Sequence, residues 1–312
     1  MKSKQERNAY FKYIFALLLF GSNGIVASYI SLTSYEIVLF RTLIGSLFLI
    51  GIFLFMRNRF TFWNKKKDLF FLVISGVAMG AGWMFLYEAY MQIGVSIASL
   101  AYYCGPVIVM VLSPFLFKEK LTRPKVIGFL VVLAGIFLIN GGALGENKNT
   151  WGMICGMMSA VTYALMVIFN KKAKGITGLE NSTLQLFISF LTLAVFVSIK
   201  QGLVINVESE DLLPILILGL INTGVGCYLY FSSIGHLPVQ TVSIFGYLEP
   251  LSAVVLSVFI LGESMLPSQI IGALFILGGA IFGEILGNKF EKYFRFTLQK
   301  KAEVLELQTD QQ

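Results

Sequence analysis

Four ionisable side chains fall within apolar stretches of the 312-residue sequence: Arg41 and Glu249 well inside, Glu88 about a turn from the end of its stretch, and Glu36 nearer the edge of the stretch that holds Arg41. At the centre of a bilayer such a charge costs about 2.5–3.5 kcal/mol on insertion scales, so each needs a partner, water or a solute. Pro250 follows Glu249, removing a backbone donor and loosening the chain beside the carboxylate. A deep carboxylate of this kind can bind a substrate ammonium, carry a proton, or pair with Arg41. Arg41, Glu88 and Glu249 are therefore candidates for an intramembrane ion pair or proton site. The plainer alternatives are a structural tether for Arg41 and hydrated interfacial carboxylates for Glu36 and Glu88.

Aromatic residues form a second constellation. Trp83, Tyr87 and Tyr90 are spaced i, i+4, i+7 and share one helical face, and Tyr102 and Tyr103 follow on the next apolar run. A Trp/Tyr wall suits an amphipathic organic solute and offers cation–π contact to an amine. Ordinary packing or an interfacial belt is the competing explanation, and Tyr90 belongs more naturally to the belt. Asn23 and Asn222 interrupt the first and eighth apolar runs. Lipid has no hydrogen bond for them, so they must face protein or a water-filled cavity.

Composition dictates the elements that hold these residues. The chain is 56% hydrophobic and 13% charged, with a mean hydropathy of +0.78, against about 25% charged residues in an ordinary soluble domain. A bilayer core is crossed by about 20 apolar residues in helical form. Ten such runs can be marked, at 12–31, 33–56, 68–92, 95–117, 123–141, 150–170, 180–199, 211–235, 239–261 and 268–287. Their continuity excludes barrel strands, which are about ten residues long and alternate. The first run is too long for a signal peptide and carries Gly21-Ser22-Asn23-Gly24 in its middle, so it is read as a retained helix.

Counting about 1.5 Å per residue puts Arg41 about 12 Å from the outer end of its run and Glu249 about 15 Å from the inner end of its own. Glu88 lies about a turn from the outer surface. With the N-terminus inside, 21 of the 24 Lys and Arg face the cytoplasm, and Lys148 and Lys200 face the other side. By the positive-inside rule both termini are cytoplasmic, in a multi-pass protein of the plasma or inner membrane.

The chain also contains itself twice. Gly94 to Ile139 aligns without gaps on Pro238 to Gly283 at an offset of 144 residues, and fourteen of the 46 pairs are identical. Five helices per copy is an odd number, so the second copy crosses the membrane in the opposite sense. The expected fold is an all-α integral membrane protein with ten transmembrane helices as two inverted five-helix repeats, both termini inside. Residues 1–145 form the first repeat, 146–288 the second, and 289–312 a cytoplasmic tail. Inverted repeats suit alternating access around a midplane site. The duplication also marks its own breaks: Glu249 corresponds to Gly105, and Trp83 to Cys227.

Other features read as structure. Gly76/Gly80, Gly152/Gly156 and Gly279/Gly283 are small-residue pairs that let helices approach. Glu119 and Glu263 end corresponding runs and suit capping or inter-helix roles. Cys104, Cys155 and Cys227 lack metal or redox spacing, and His236, the single histidine, falls in a turn. Without a P-loop, a GxSxG or a metal-ligand cluster, an ATP-driven pump or hydrolase is disfavoured. No catalytic residue, metal or cofactor is expected. The net charge of +7 sits in short clusters between the runs, which suits membrane orientation and not nucleic acid.

In these motifs the chain resembles the drug/metabolite transporter superfamily, specifically its ten-helix EamA-type permeases, over about residues 10–287. The resemblance rests on Phe20-Gly21-Ser22-Asn23, on Phe40-Arg41, and on Pro106…Glu119 and Glu249-Pro250…Leu261-Gly262-Glu263. Lys118-Glu119 stands where the family commonly has Gly-Glu, and Phe20 where Trp is frequent. The resemblance implies a secondary carrier, often an exporter of amino acids or related metabolites. Its implied cavity lining here is Asn23, Trp83, Tyr87, Tyr102, Tyr163, Asn222, Tyr228 and Glu249. The expected partners are a small-molecule substrate and the lipid bilayer, with protons a candidate coupling ion. Two readings compete with a permease for an amino acid or amine-like solute: proton-coupled multidrug efflux, and a non-transporting receptor or scaffold.

Overall fold

The computed structural model describes residues 4–140, 149–200, 202, 207–262 and 266–283, and these are helical with short connections. Among the described residues, eight segments are long and apolar enough to cross a membrane: Lys4–Ala27, Ser34–Phe55, Lys66–Ile93, Ile97–Phe117, Thr150–Lys172, Gly178–Lys200, Ser209–Ile234 and Val239–Ile260. The runs predicted at 123–141 and 268–287 hold the helices Arg123–Asn140 and Pro267–Ile281. The outer surface is apolar, with Ile199 82% and Phe259 81% exposed, while Thr42, Ser75, Gln185 and Gln240 are buried. Lipid reverses the usual pattern, since large exposed apolar patches are unfavourable in water. Glu263 and the tail lie outside the described residues.

Four of the spans are interrupted, three of them where the sequence leads one to expect it (Asn23, Asn222 and Pro250) and the fourth span without such a sign. The first is α1 (Lys4–Gly21) followed by a short α2 (Asn23–Ala27), and it is already helical at Lys4, ahead of the apolar run. The second and third are α3 (Ser34–Phe55) and α4 (Lys66–Ile93), both continuous. Thr33 and Glu36 close a capping box at the start of α3, so Glu36 serves its own helix end. The fourth is split into α5 (Val95–Tyr102) and α6 (Cys104–Phe117), and α7 is Arg123–Asn140.

The second half repeats the pattern. Helices α8 (Thr150–Lys172) and α9 (Gly178–Lys200) are continuous; Asn149 caps α8 by accepting from the amides of Trp151 and Gly152. The eighth span runs from α10 (Leu212–Ile217) through a π-helical stretch at Leu218–Val225 into α11 (Gly226–Ile234). The ninth is split into α12 (Val239–Gly246) and α13 (Leu248–Leu261), and α14 is Pro267–Ile281. The splits at Tyr103 and Tyr247 place Pro106 and Pro250 in the first turn of a new helix segment. The missing amide hydrogen costs little there, because first-turn donors have no intrahelical acceptor.

The 144-residue offset reappears as geometry. A Cβ added to Gly128 would lie 2.5 Å from the carbonyl oxygen of Gly279, and one on Gly135 2.6 Å from that of Gly272. Each contact becomes the other when the offset is exchanged, and α7 and α14 run antiparallel. Likewise a Cβ on Gly80 would meet Thr192 at 2.9 Å and one on Gly224 would meet Phe48 at 2.7 Å. Tyr103 packs against its own counterpart, Tyr247, at a ring separation of 6.2 Å. Interhelical hydrogen bonds add to this packing, including Ser75 Oγ to Met166 O at 2.7 Å and Asn170 Nδ2 to Asn181 Oδ1 at 2.9 Å. Close approach of small residues and such bonds hold membrane helices together where lipid supplies no hydrophobic drive.

Lys118 and Gly262 correspond at the same offset and both end their helices in the left-handed region, with φ of 58° and 69°. A side chain there is strained by about 1–2 kcal/mol. Lys118→Gly should therefore stabilise the protein by about 1 kcal/mol, less the entropy that glycine adds to the unfolded chain. A raised melting temperature in detergent is the expected result. A lowered one would mean that the lysine side chain contributes more than its backbone costs.

Candidate functional site

A small cavity of ≈70 Å³ lies among α1, α2, α3, α4, α5, α8, α11 and α13, lined by Leu17, Phe20, Asn23, Arg41, Met79, Trp83, Tyr102, Tyr163, Met166, Cys227, Tyr230, Phe231 and Glu249. Its floor and walls come mostly from the interrupted helices. Asn23 follows the break in α1, and Glu249 is the second residue of α13.

Aromatic rings surround the cavity. Tyr102 meets Tyr163 edge-on at 5.4 Å, Tyr230 packs against Phe20 at 5.8 Å and against Phe231 at 5.0 Å. The Arg41 guanidinium lies over the Trp83 ring, 4.5 Å from its centre. A desolvated cation–π contact of this kind is worth about 2 kcal/mol. It fixes the position of the charge without consuming its hydrogen-bond donors.

The polar groups are left open. Arg41 Nε and Asn23 Oδ1 are buried without a hydrogen-bond partner among the described residues. No described side chain hydrogen-bonds the Glu249 carboxylate, and no ion pair joins it to Arg41, although both line the same cavity. An unpartnered buried polar group costs about 1–3 kcal/mol, and more when charged. The site thus presents one cation, one carboxylate and an amide oxygen, set in an aromatic wall.

Of the residues named from sequence, Asn23, Arg41, Trp83, Tyr102, Tyr163 and Glu249 meet at this cavity. Four do not line it. Asn222 is buried, and its amide donates to Leu19 O at 3.0 Å and Ser22 Oγ at 2.8 Å. It thereby satisfies the broken end of α1 and positions Asn23. Tyr228 points elsewhere on α11, with Lys12 Nζ 5.2 Å from its ring centre. Tyr87 stacks edge-on against Tyr90 at 5.3 Å and packs on the cluster around Tyr35 and Leu193. Glu88 does form an ion pair, but with Lys200 at 2.5 Å and not with Arg41.

Sequence reasoning missed Leu17, Phe20, Met79, Met166, Cys227, Tyr230 and Phe231 as lining residues. The duplication held part of the signal: Cys227, Tyr230 and Phe231 correspond to Trp83, Leu86 and Tyr87 at the offset. Outside the cavity, Glu119 takes the inter-helix role its position suggested, accepting from the amides of Val239 at 2.8 Å and Gln240 at 3.1 Å. Those amides are orphan donors at the start of α12.

Comparison with known proteins agrees with this architecture. The sequence profile of the EamA-like transporter family matches residues 8–141 and again 150–283. Over 289 residues the chain is 28% identical to a Bacillus subtilis (strain 168) protein named "Uncharacterized transporter YxxF", covering 89% of this chain and 90% of that one. It is 27% identical over 304 residues to "Uncharacterized transporter YetK" of the same organism, covering 92% and 89%. A solved crystal structure superimposes with a TM-score of 0.77 at 18% identity, covering 92% of this chain and 100% of the other; that likeness concerns the fold.

Proposed function

The chain belongs to the EamA-like transporter family of membrane proteins, and from that premise we propose that it moves a small zwitterionic metabolite, of the amino-acid type, by alternating access. The observation that carries this reading is the pairing of two unmated opposite charges, Arg41 and Glu249, in one aromatic cavity. A substrate carboxylate would meet the guanidinium and a substrate ammonium would meet Glu249. Arg41 is suited to the first task because its planar donors match a carboxylate. Trp83, Tyr102, Tyr163 and Tyr230 would receive the apolar part of the solute, and Asn23 Oδ1 would accept a further hydrogen from the ammonium.

The fixed guanidinium argues against multidrug efflux of cations, since like charge in a dry cavity is repelled. Membership of a transporter family argues against a scaffold. Alternating access is supported by the reciprocal contacts of α7 with α14 and of Tyr103 with Tyr247. In this reading the two halves are inverted five-helix repeats, about 1–145 and 146–288, and both termini face the cytoplasm of a plasma or inner membrane. The basic residues at the loop between α3 and α4 and at the end of α8 support that orientation.

The test is counterflow in reconstituted vesicles preloaded with candidate solutes. Free amino acids should exchange, and simple amines or simple carboxylates of equal size should exchange at least about tenfold more slowly, since each leaves one buried charge unmet. Exchange of amines alone would replace this reading with a cation carrier.

A further inference from the structure

We propose that Tyr35, Glu88 and Lys200 form a latch that holds one end of the transport path shut, and that its lack of an equivalent in the second half biases the resting state; this rests on the alternating-access reading. The latch is an interlocked set. Lys200 Nζ lies 2.5 Å from Glu88 and donates to the Tyr35 hydroxyl at 2.8 Å, 4.5 Å above the centre of that ring. The Tyr35 hydroxyl donates to Glu88, and Gln92 Nε2 donates to the same carboxylate at 3.1 Å. Asn149 Nδ2 donates to Gln92 Oε1 at 2.7 Å. One cluster therefore ties together α3, α4, α9 and the cap of α8.

Between this cluster and the cavity the chain is tightly packed. Tyr35, Val38, Leu39, Leu193 and Val197 are buried against Trp83 and Tyr87. Each end carries a recess, and they differ in lining: the one of ≈410 Å³ beside Glu88 and Lys200 is walled by apolar residues such as Phe85, Trp151 and Ile199, whereas one of ≈440 Å³ at the opposite end is lined by Lys174, Thr177, Ser232 and His236 among others, with Lys174, Thr177 and His236 exposed at its rim. Phe231 lines both this second recess and the cavity.

The offset explains the difference. Adding or subtracting 144 takes Glu88 to Ser232, Lys200 to Met56, Tyr35 to Leu179, Gln92 to His236 and Asn149 to Gln5. The Gln92–Asn149 contact survives in the second half as Gln5 Nε2 to His236 Nδ1, lengthened to 3.5 Å. The ion pair and the tyrosine bond have no counterpart there. When two related halves exchange conformations, contacts at one end are traded for their counterparts at the other. Here an ion pair with three supporting hydrogen bonds stands against the long Gln5–His236 contact, while Lys171, whose offset counterpart is Ala27, donates to Ile234 O at 3.2 Å and to Leu237 O at that other end. The equilibrium accordingly favours the state closed at Glu88 and open at Lys174.

Accessibility of a buried reporter tests this without reference to substrate. In a chain with Cys104, Cys155 and Cys227 replaced by alanine, Val197→Cys lies beneath the latch. A membrane-impermeant maleimide applied from the Lys200 side should label it slowly. Lys200→Met or Glu88→Gln should raise that rate about tenfold, and Ser232→Cys, read from the other side, should label more slowly in the same background. The swap of Glu88→Lys with Lys200→Glu should restore slow labelling, which separates a latch from a general loss of structure. Unchanged labelling in both single variants, or a swap that fails to restore it, overturns the proposal. Flux of the native chain is measured separately, so absence of transport would count against the functional reading and not against the latch.

Discussion

Glutamine in place of Glu249 is expected to lower solute counterflow by about a hundredfold or more while leaving the melting temperature unchanged. The two halves of that expectation come from the same geometry. Glu249 lines the cavity and no described side chain hydrogen-bonds its carboxylate, so the isosteric amide removes no contact that holds the helices. For a bound ammonium the loss is large, because taking away one partner of a desolvated charge pair costs about 3–5 kcal/mol. Flux through the variant and thermal melting in detergent read the two halves separately. Retained flux would remove Glu249 from the site, and a lowered melting temperature would make it a structural residue.

A comparable effect, on folding instead of flux, is expected from Gly128→Val. The atoms that a new Cβ would strike are backbone: Gly279 O at 2.5 Å, and Gly283 Cα and N at 2.7 Å. No rotamer change relieves such a clash, so α7 and α14 must separate. Overpacking of this kind costs about 1–3 kcal/mol in ordinary cores, and here it also forfeits the close contact at Gly135 and Gly272. The natural control is Gly278→Val on α14, where nothing lies within 4 Å of the added atom. Gly128→Val should lower the detergent melting temperature and the yield of monodisperse protein, with Gly278→Val near the native value. Equal loss in both would mean that helix propensity, and not the crossing, governs stability.

Much of the scaffold was legible in the residues themselves. Long apolar runs admit only helices in lipid, so composition alone decided the class. Pro250 marked a loosened helix beside Glu249 and the 144-residue offset marked two related halves, whereas the crossing at Gly128 and Gly135 came only from the structure. The central charges were legible for a similar reason: lipid makes Arg41 and Glu249 costly, so their presence announces a purpose.

Individual faces were harder to read. Tyr228 was expected at the cavity from the family resemblance and Tyr230 was not; two residues apart on α11, they point about 200° away from one another, so only one of them can face the cavity. Glu88 was named as an ion-pair candidate without a partner. Lys200 is distant in sequence and lies at the far end of another helix, and one sequence carries no direct sign of that pairing. Asn222 was placed on the correct element, but its partners Leu19 and Ser22 exist only because α1 is broken beside it.

The claim that joins these observations is that one cavity holds both ends of a zwitterion, carboxylate at Arg41 and ammonium at Glu249. Its most direct test is counterflow of a transported amino acid against its N-acetyl and methyl-ester derivatives in the same vesicles. Acetylation removes the ammonium and esterification removes the carboxylate, while each leaves the side chain intact. The free amino acid should exchange, and both derivatives should fall by at least about tenfold. Equal exchange of all three, or exchange of the ester with loss confined to the acetylated form, would contradict a two-ended site.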